Sequence, residues 1–285
     1  MAEGPNPLGE YVRARRELVT PEQAGIRAVG VRRVPGLRRE EVALLAGISA
    51  DYYLRLEQGR DRNPSVQVLT SLARVLRLDD DATAYLLRLG ADGHRPRPRP
   101  RHRPPEETVP QSTAQLVATL RLPALVENRF FDVLAANALA TALSPRLAVG
   151  GNRLRDLFLD PAEQALHPDW ESAARGMVAG FRESVGTDTD DPRAIELVTE
   201  LSLASPLFRR LWARHDVEAC EGATKHLRHP GAGPLQLNRE RLAIGGTAGQ
   251  VLVVYHPDPD SDAAARLTRL LAPVDPVLDG STRGE

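Results

Sequence analysis

The sequence predicts two domains of different class: an all-α domain of five helices over the first ninety or so residues, then an α+β domain. Three observations predict this. As far as Gly90, apolar residues recur at steps of three and four. Next, HRPRPRPRHRPP (94–105) places proline at every second position, which suits neither a helix nor a sheet and reads as an extended linker. Behind it, helical-period segments give way to short runs at 225–229, 234–237, 241–244 and 250–256 that read as strands, LVVY at 252–255 being the strongest. The boundaries are 1–91 for the first domain, 92–110 for the Arg/Pro-rich linker, 111–275 for the second domain and 276–285 for a tail. With 285 residues, 42% of them hydrophobic, the chain is long enough for two cores.

Each element has a local reason. Leu8, Tyr11, Val12 and Leu18 share one face of a first helix, and Arg13, Arg15 and Arg16 take the other. The loop at 19–37 holds Pro21, Gly25, Gly30, Pro35 and Gly36, with Thr20 placed to cap a single turn that Pro21 opens. Helices two and three are expected at 38–46 and 50–58. Ser65 caps a fourth with Val66, Leu69, Leu72, Ala73 and Leu76 inward, and acidic 79–81 suits the start of a fifth at 82–89. In the second domain, 125–137 reads as one strand running into a helix start. Helices follow at 154–165, 170–185, 193–203 and 206–215, and the chain closes with a helix at 260–271.

Net charge is −1, unevenly spread: +4 over residues 1–109 and −5 over 110–285, which suggests different partners for the two halves. The linker's five arginines read equally as phosphate contacts or as a soluble spacer. Cys220 is the only cysteine, so no intrachain disulfide forms. No apolar leader and no apolar run of membrane-spanning length is seen, and a cytoplasmic location is expected.

The stretch REEVALLAGISADYYLRLEQG (39–59) reads as two helices about a turn at Gly47, with Ala43 small enough for close crossing. Val42, Ala46, Ile48, Tyr53 and Leu56 fall where the helices pack on each other. Ser49, Ala50, Asp51, Tyr52 and Arg55 fall on the face a major groove would meet. Arg55 suits a bidentate contact to guanine, Ala50 a thymine methyl, and Asp51 either cytosine N4 or the cap of helix three. The pattern resembles the phage-repressor-like (Cro/C1, XRE) helix-turn-helix family over about residues 8–90, with the helix PSVQVLTSLARVLRL strengthening the match. That resemblance implies a lambda-repressor-like domain in which Arg38 and Arg39 lie at the phosphate-facing start of helix two. It places Ala50, Asp51 and Arg55 at base-reading positions, and Arg60, Arg62 and Asn63 in a loop on the DNA backbone. Arg32 and Arg33 read as a second backbone clamp or as a solvated loop. Such proteins bind double-stranded DNA as dimers, so a homodimer is expected.

The back half, with LPALVENRFFDVLAANALATAL, LRDLFLDPAEQALHPDWESAAR and ELSLASPLFRRLWARHDV, is similar to the MmyB-like transcription regulators. The resemblance implies a PAS-like domain with a five-stranded antiparallel sheet, helices over one face, and a pocket for a fatty-acid-like or other small hydrophobic ligand. Phe130, Val133, Phe158, Met177 and Phe181 are candidates for the lining, with Val126 and Leu134. Asn137, Arg209, Trp212 and His215 are candidates for the polar end, where an arginine or histidine would meet a carboxylate. Each apolar candidate reads as well as plain core.

Enzyme motifs are missing: no GxSxG elbow, phosphate-cradling glycine loop or HExxH is present, and no cofactor is expected. Cys220, His226 and His229 are too loosely spaced for a metal site, and His215 beside Asp216 lacks a nucleophile. The sequence therefore predicts a ligand-responsive, sequence-specific DNA-binding transcriptional regulator. The rival is a DNA-binding adaptor whose rear domain binds a protein or only dimerises.

Overall fold

Five helices form where the apolar period predicts them, and their ends follow the capping residues. The computed structural model describes residues 6–26, 34–61, 63–92, 107–186, 191–218 and 222–270. Arg32, Arg33, Arg62, Cys220, most of the linker and the tail lie outside these. Asn6 caps α1 (Pro7–Leu18), Ser49 caps α3 (Ala50–Glu57) and Ser65 caps α4 (Val66–Val75), each side chain accepting a backbone N–H of the first turn. At the start of α2 (Arg39–Ala46) the Glu41 carboxylate accepts the Arg38 backbone N–H at 2.7 Å. Before α5 (Asp80–Asp92), Asp79 accepts from the Ala82 N–H at 2.8 Å. Tyr11, Val42, Tyr53, Leu56, Leu72 and Leu86 form the fully buried centre of this bundle.

The second domain is a five-stranded antiparallel sheet with most of its helices over one face. It begins with α6 (Gln111–Thr119), a helix that the sequence reading does not contain. Two strands then stand where one was expected: β1 (Ala124–Glu127) and β2 (Val133–Ala136) pair as a hairpin. Its turn carries no glycine. Instead Asn128 Oδ1 accepts the N–H groups of Phe130 and Asp132, and Phe131 takes a left-handed φ of 65° with its ring buried. After α7 (Ala138–Leu143), the expected helix at 154–165 divides into α8 (Arg153–Leu159) and α9 (Pro161–Leu166), because Asp160 caps a new start and Pro161 cannot continue the old one. There follow α10 (Trp170–Val185), α11 (Pro192–Ala204) and α12 (Pro206–Ala213).

Strands β3 (Ala223–His229), β4 (Gly233–Ala243) and β5 (Val251–His256) complete the sheet in the order β2-β1-β5-β4-β3, and α13 (Asp262–Leu270) packs back on β4. The two strands expected at 234–237 and 241–244 are one continuous strand. Strand alternation sorts the residues: Leu125, Leu227, Leu235, Leu237, Val253 and Tyr255 face the core shared with α7 and α13. Val126 and Leu252 face the other side, under α6. A separate cluster of Phe131, Phe158, Phe181, Phe208 and their neighbours holds α8, α10, α11 and α12 together. Among the described residues no helix is long and apolar enough to cross a membrane.

Candidate DNA-reading face and effector cavity

Gly47 ends α2 with φ 71°, the left-handed conformation that turns the chain into α3. Tyr53 and Leu56 are buried against the bundle, so the opposite face of α3 is left outward. Ser49, Ala50, Asp51 and Arg55 are exposed there, Tyr52 is half-buried, and Arg38, Arg60 and Asn63 are exposed around it. Ser49 is the cap of α3, its Oγ accepting the Tyr52 N–H at 3.1 Å. Asp51 therefore does not cap the helix. It forms an ion pair with Arg55 one turn on, and the Arg55 guanidinium also lies 5.9 Å from the Tyr52 ring centroid. The arginine best suited to a guanine is thus held from two sides.

Behind this face lies a buried carboxylate. Glu57, at the end of α3, receives Arg16 Nε at 2.7 Å and Arg39 Nε at 2.6 Å, while its backbone carbonyl accepts Asn6 Nδ2 at 2.8 Å. Burial alone would raise its pKa, but the two guanidiniums hold it below the usual carboxylate range. The Arg16 side chain is 7% exposed and that of Arg39 43%, so one partner is structural and the other reaches the surface. Gly59 follows with φ 68°, and a Cβ there would lie 2.6 Å from Asn6 Cγ, so the motif's last glycine is required twice over.

In the second domain a cavity of about 310 Å³ lies between the α7–α10 layer and the sheet. Its apolar wall includes Leu143, Leu147, Leu157, Leu166, Met177 and Leu227. Arg153, Glu163, His167, Lys225, Arg239 and Tyr255 supply polar wall. Lys225, Leu227, Arg239 and Tyr255 share one sheet face by register. Beneath the cavity Glu127, fully buried, is bound by Arg153 and Arg241, and Arg153 Nη2 donates to Tyr255 Oη at 3.0 Å. Burial opposes the Glu127 charge, yet the arginines hold its pKa below the ordinary range. Glu163 is likewise lowered against burial, by His167 and by the Ser144 hydroxyl donating at 2.5 Å.

Of the nine residues expected at a ligand, Met177 lines this cavity. The others have different surroundings. Phe130, Phe158 and Phe181 pack within the helix cluster, and Val133 joins the core on the sheet. Trp212 stacks on Phe208 with centroids 5.9 Å apart. Asn137 caps α7 and ties β1 to α6, its Nδ2 donating to the carbonyls of Val117, Leu120 and Leu122. Arg209 is exposed and bonds the Ser202 carbonyl at 3.3 Å, and His215 faces Tyr11 of the first domain. The cavity residues that sequence reasoning missed include Lys225, at the start of an expected strand, and Arg239, which fell in the gap between the two strands expected at 234–237 and 241–244 and lies inside β4. His229 is fully engaged within the fold, Nε2 on the Ala142 carbonyl and Nδ1 on two backbone N–H groups.

An exposed polar face on the second helix of a helix-turn-helix, tied to an α+β domain with an amphipathic cavity, defines a DNA-binding regulator with a ligand-binding domain. Comparison with protein families agrees: residues 7–86 match a helix-turn-helix domain, and residues 109–271, more than half the chain, match the MmyB-like transcription regulator ligand binding domain. The chain belongs to the MmyB-like transcription regulators. No curated protein matches it.

Proposed function

We propose that the protein senses a small amphipathic molecule of fatty-acid type and answers by changing its grip on specific DNA, as a homodimer. The observation that carries the reading is the composition of the cavity. Six aliphatic or thioether side chains suit an acyl chain, and Arg239 and Lys225 on the sheet suit its carboxylate. On the DNA side, Arg55 reads a base pair with Asp51 and Tyr52 setting its direction. Ser49 and Ala50 meet the neighbouring base edges, and Arg38, Arg39, Arg60, Arg62 and Asn63 hold phosphates. Arg32 and Arg33 belong with the phosphate contacts. Two copies of α3 then enter successive major grooves about 34 Å apart.

The test is calorimetric titration of the full chain with sodium myristate. Saturable binding near one per chain is expected, lost when Met177→Trp fills the apolar end and weakened by Arg239→Leu. No heat in the wild type, or equal binding by Met177→Trp, removes the fatty-acid reading and favours a rear domain that binds a protein partner.

A further inference from the structure

One short segment, the connection from α12 to β3, crosses from the second domain to the first. It leaves α12 through His215, whose φ of 53° is left-handed. His215 Nδ1 accepts from Arg182 Nη1 at 3.1 Å, and the same guanidinium donates to the Trp212 carbonyl and covers the Trp212 ring at 3.8 Å. Asp216 then crosses to the DNA-binding domain and receives Arg15 of α1 at 2.5 Å. Val217 is buried inside the hydrophobic cluster of the N-terminal helices. The very next residue, Glu218, lines the cavity, as do Gly222 and Ala223 beyond it.

The other side of the seam is α5. Tyr85 Oη donates to the Gly186 carbonyl at 3.3 Å, and Arg88 reaches Glu183 at 3.1 Å. One turn earlier on the same helix, Asp81 lines the same cavity. The cavity wall is therefore made by both domains, and one of its wall residues is bonded directly to the residue that plugs the other domain.

We propose that residues 214–218 form the docking latch through which the contents of the cavity set the position of the DNA-binding domain. This rests on reading the cavity as the effector site. A ligand must bind the docked and released states differently to shift between them. Here the difference is built in: filling the cavity presses on Glu218, Glu218 moves with Val217, and Asp81 is displaced from the α5 side. The response reaches DNA through α1, because Arg15 is held by Asp216 and the adjacent Arg16 holds Glu57 under the reading face.

The latch is testable without knowing the ligand. Gly176 in α10 lines the cavity, and a Cβ there would stand 3.7 Å from Glu218 Oε2. Gly176→Ala fits in ordinary contact, whereas Gly176→Leu pushes on Glu218. In the full chain, Gly176→Leu is expected to speed hydrogen exchange in α1 and α5. It should also change affinity for a duplex selected in vitro by the wild type by roughly tenfold, with Gly176→Ala near wild type. A folded Gly176→Leu with unchanged exchange and unchanged affinity overturns the latch. If Gly176→Leu fails to fold, the Arg15→Ala, Asp216→Ala cycle on the same duplex decides. Affinity changes that are several-fold and non-additive support the latch, and wild-type affinity in all three variants sinks it. Myristate binding is scored separately, so a silent titration beside a responsive Gly176→Leu rejects the fatty acid and keeps the latch.

Discussion

Two glutamates in this molecule do the same thing in different places, and the contrast explains both domains. Glu57 and Glu127 are each buried, each held ionised by two arginines. The partners of Glu127, Arg153 and Arg241, are themselves buried, their side chains 7% and 8% exposed. They tie β1 to β4 and α8, and Arg153 also lines the cavity. Glu57 has one buried partner and one that opens to solvent. It therefore acts as a bracket: Arg16 fixes it to α1, and it in turn fixes Arg39 at the surface. A closed ion cluster shapes an interior; a half-open one leaves a cation at the surface.

The largest effect should come from breaking the closed cluster. Glu127→Ala strands two buried guanidiniums, and we expect a loss of about 3–5 kcal/mol in urea unfolding of the full chain. Glu57→Ala strands Arg16 and lets Arg39 return to water, so the loss in the same measurement should be smaller, about 3 kcal/mol at most. DNA binding should fail with it. If the two variants lose equal stability, the distinction between closed and half-open clusters is wrong.

On DNA the scale is finer. Arg55→Ala should cost about 1–3 kcal/mol of discrimination at a single base pair, seen as relaxed preference in competition binding. Arg39→Ala should weaken binding to every sequence alike and lower the salt slope by about 1. An Arg39 variant that changed which sequence is preferred would reverse these two roles.

The most diagnostic effect is on pH. His215 is pushed down to about 3, first by burial and then by Arg182 and Arg15, with Asp216 pulling the other way. The unfolded histidine takes up a proton near pH 6.5 and the native one does not, so stability falls as pH drops from about 6.5 toward 3. The lowered Glu57 and Glu127 keep their stabilisation above the ordinary glutamate range and lose it only as pH falls below about 4.3. His215→Phe should therefore flatten the unfolding midpoint between pH 6.5 and 4.5 and leave the steeper acid limb in place. A midpoint that still falls in the upper window assigns that slope to another group.

The exposed face of α3 was legible in the sequence because its parts are consecutive. Gly47, Ser49 to Arg55 and Gly59 lie in or at the ends of two short helices whose caps and period are local properties. The role of Asp51 was the exception: a serine two residues earlier competes for the same N–H groups, and only the geometry assigns the cap. The cavity was not legible. Aromatic residues at helical spacing look alike whether they face a ligand or one another, and here Phe158, Phe181, Phe208 and Trp212 face one another. The β1–β2 turn escaped notice because Asn128 and a left-handed Phe131 make it without glycine or proline.

By itself the sequence determined an all-α front unit of five helices, an α+β unit with an antiparallel sheet behind it, and the helix face of α3 that is left exposed. Hydrophobic period, caps and turn glycines act over three to seven residues, and no distant partner is needed to read them. Tertiary structure alone decided that β4 runs unbroken through Arg239 and Arg241, the charge of Arg241 being met by Glu127 more than a hundred residues away. It alone brought Asp81 and Glu218 to one cavity wall and drove Val217 into the other domain's core. Those contacts depend on how two finished units fit together, which no local pattern encodes.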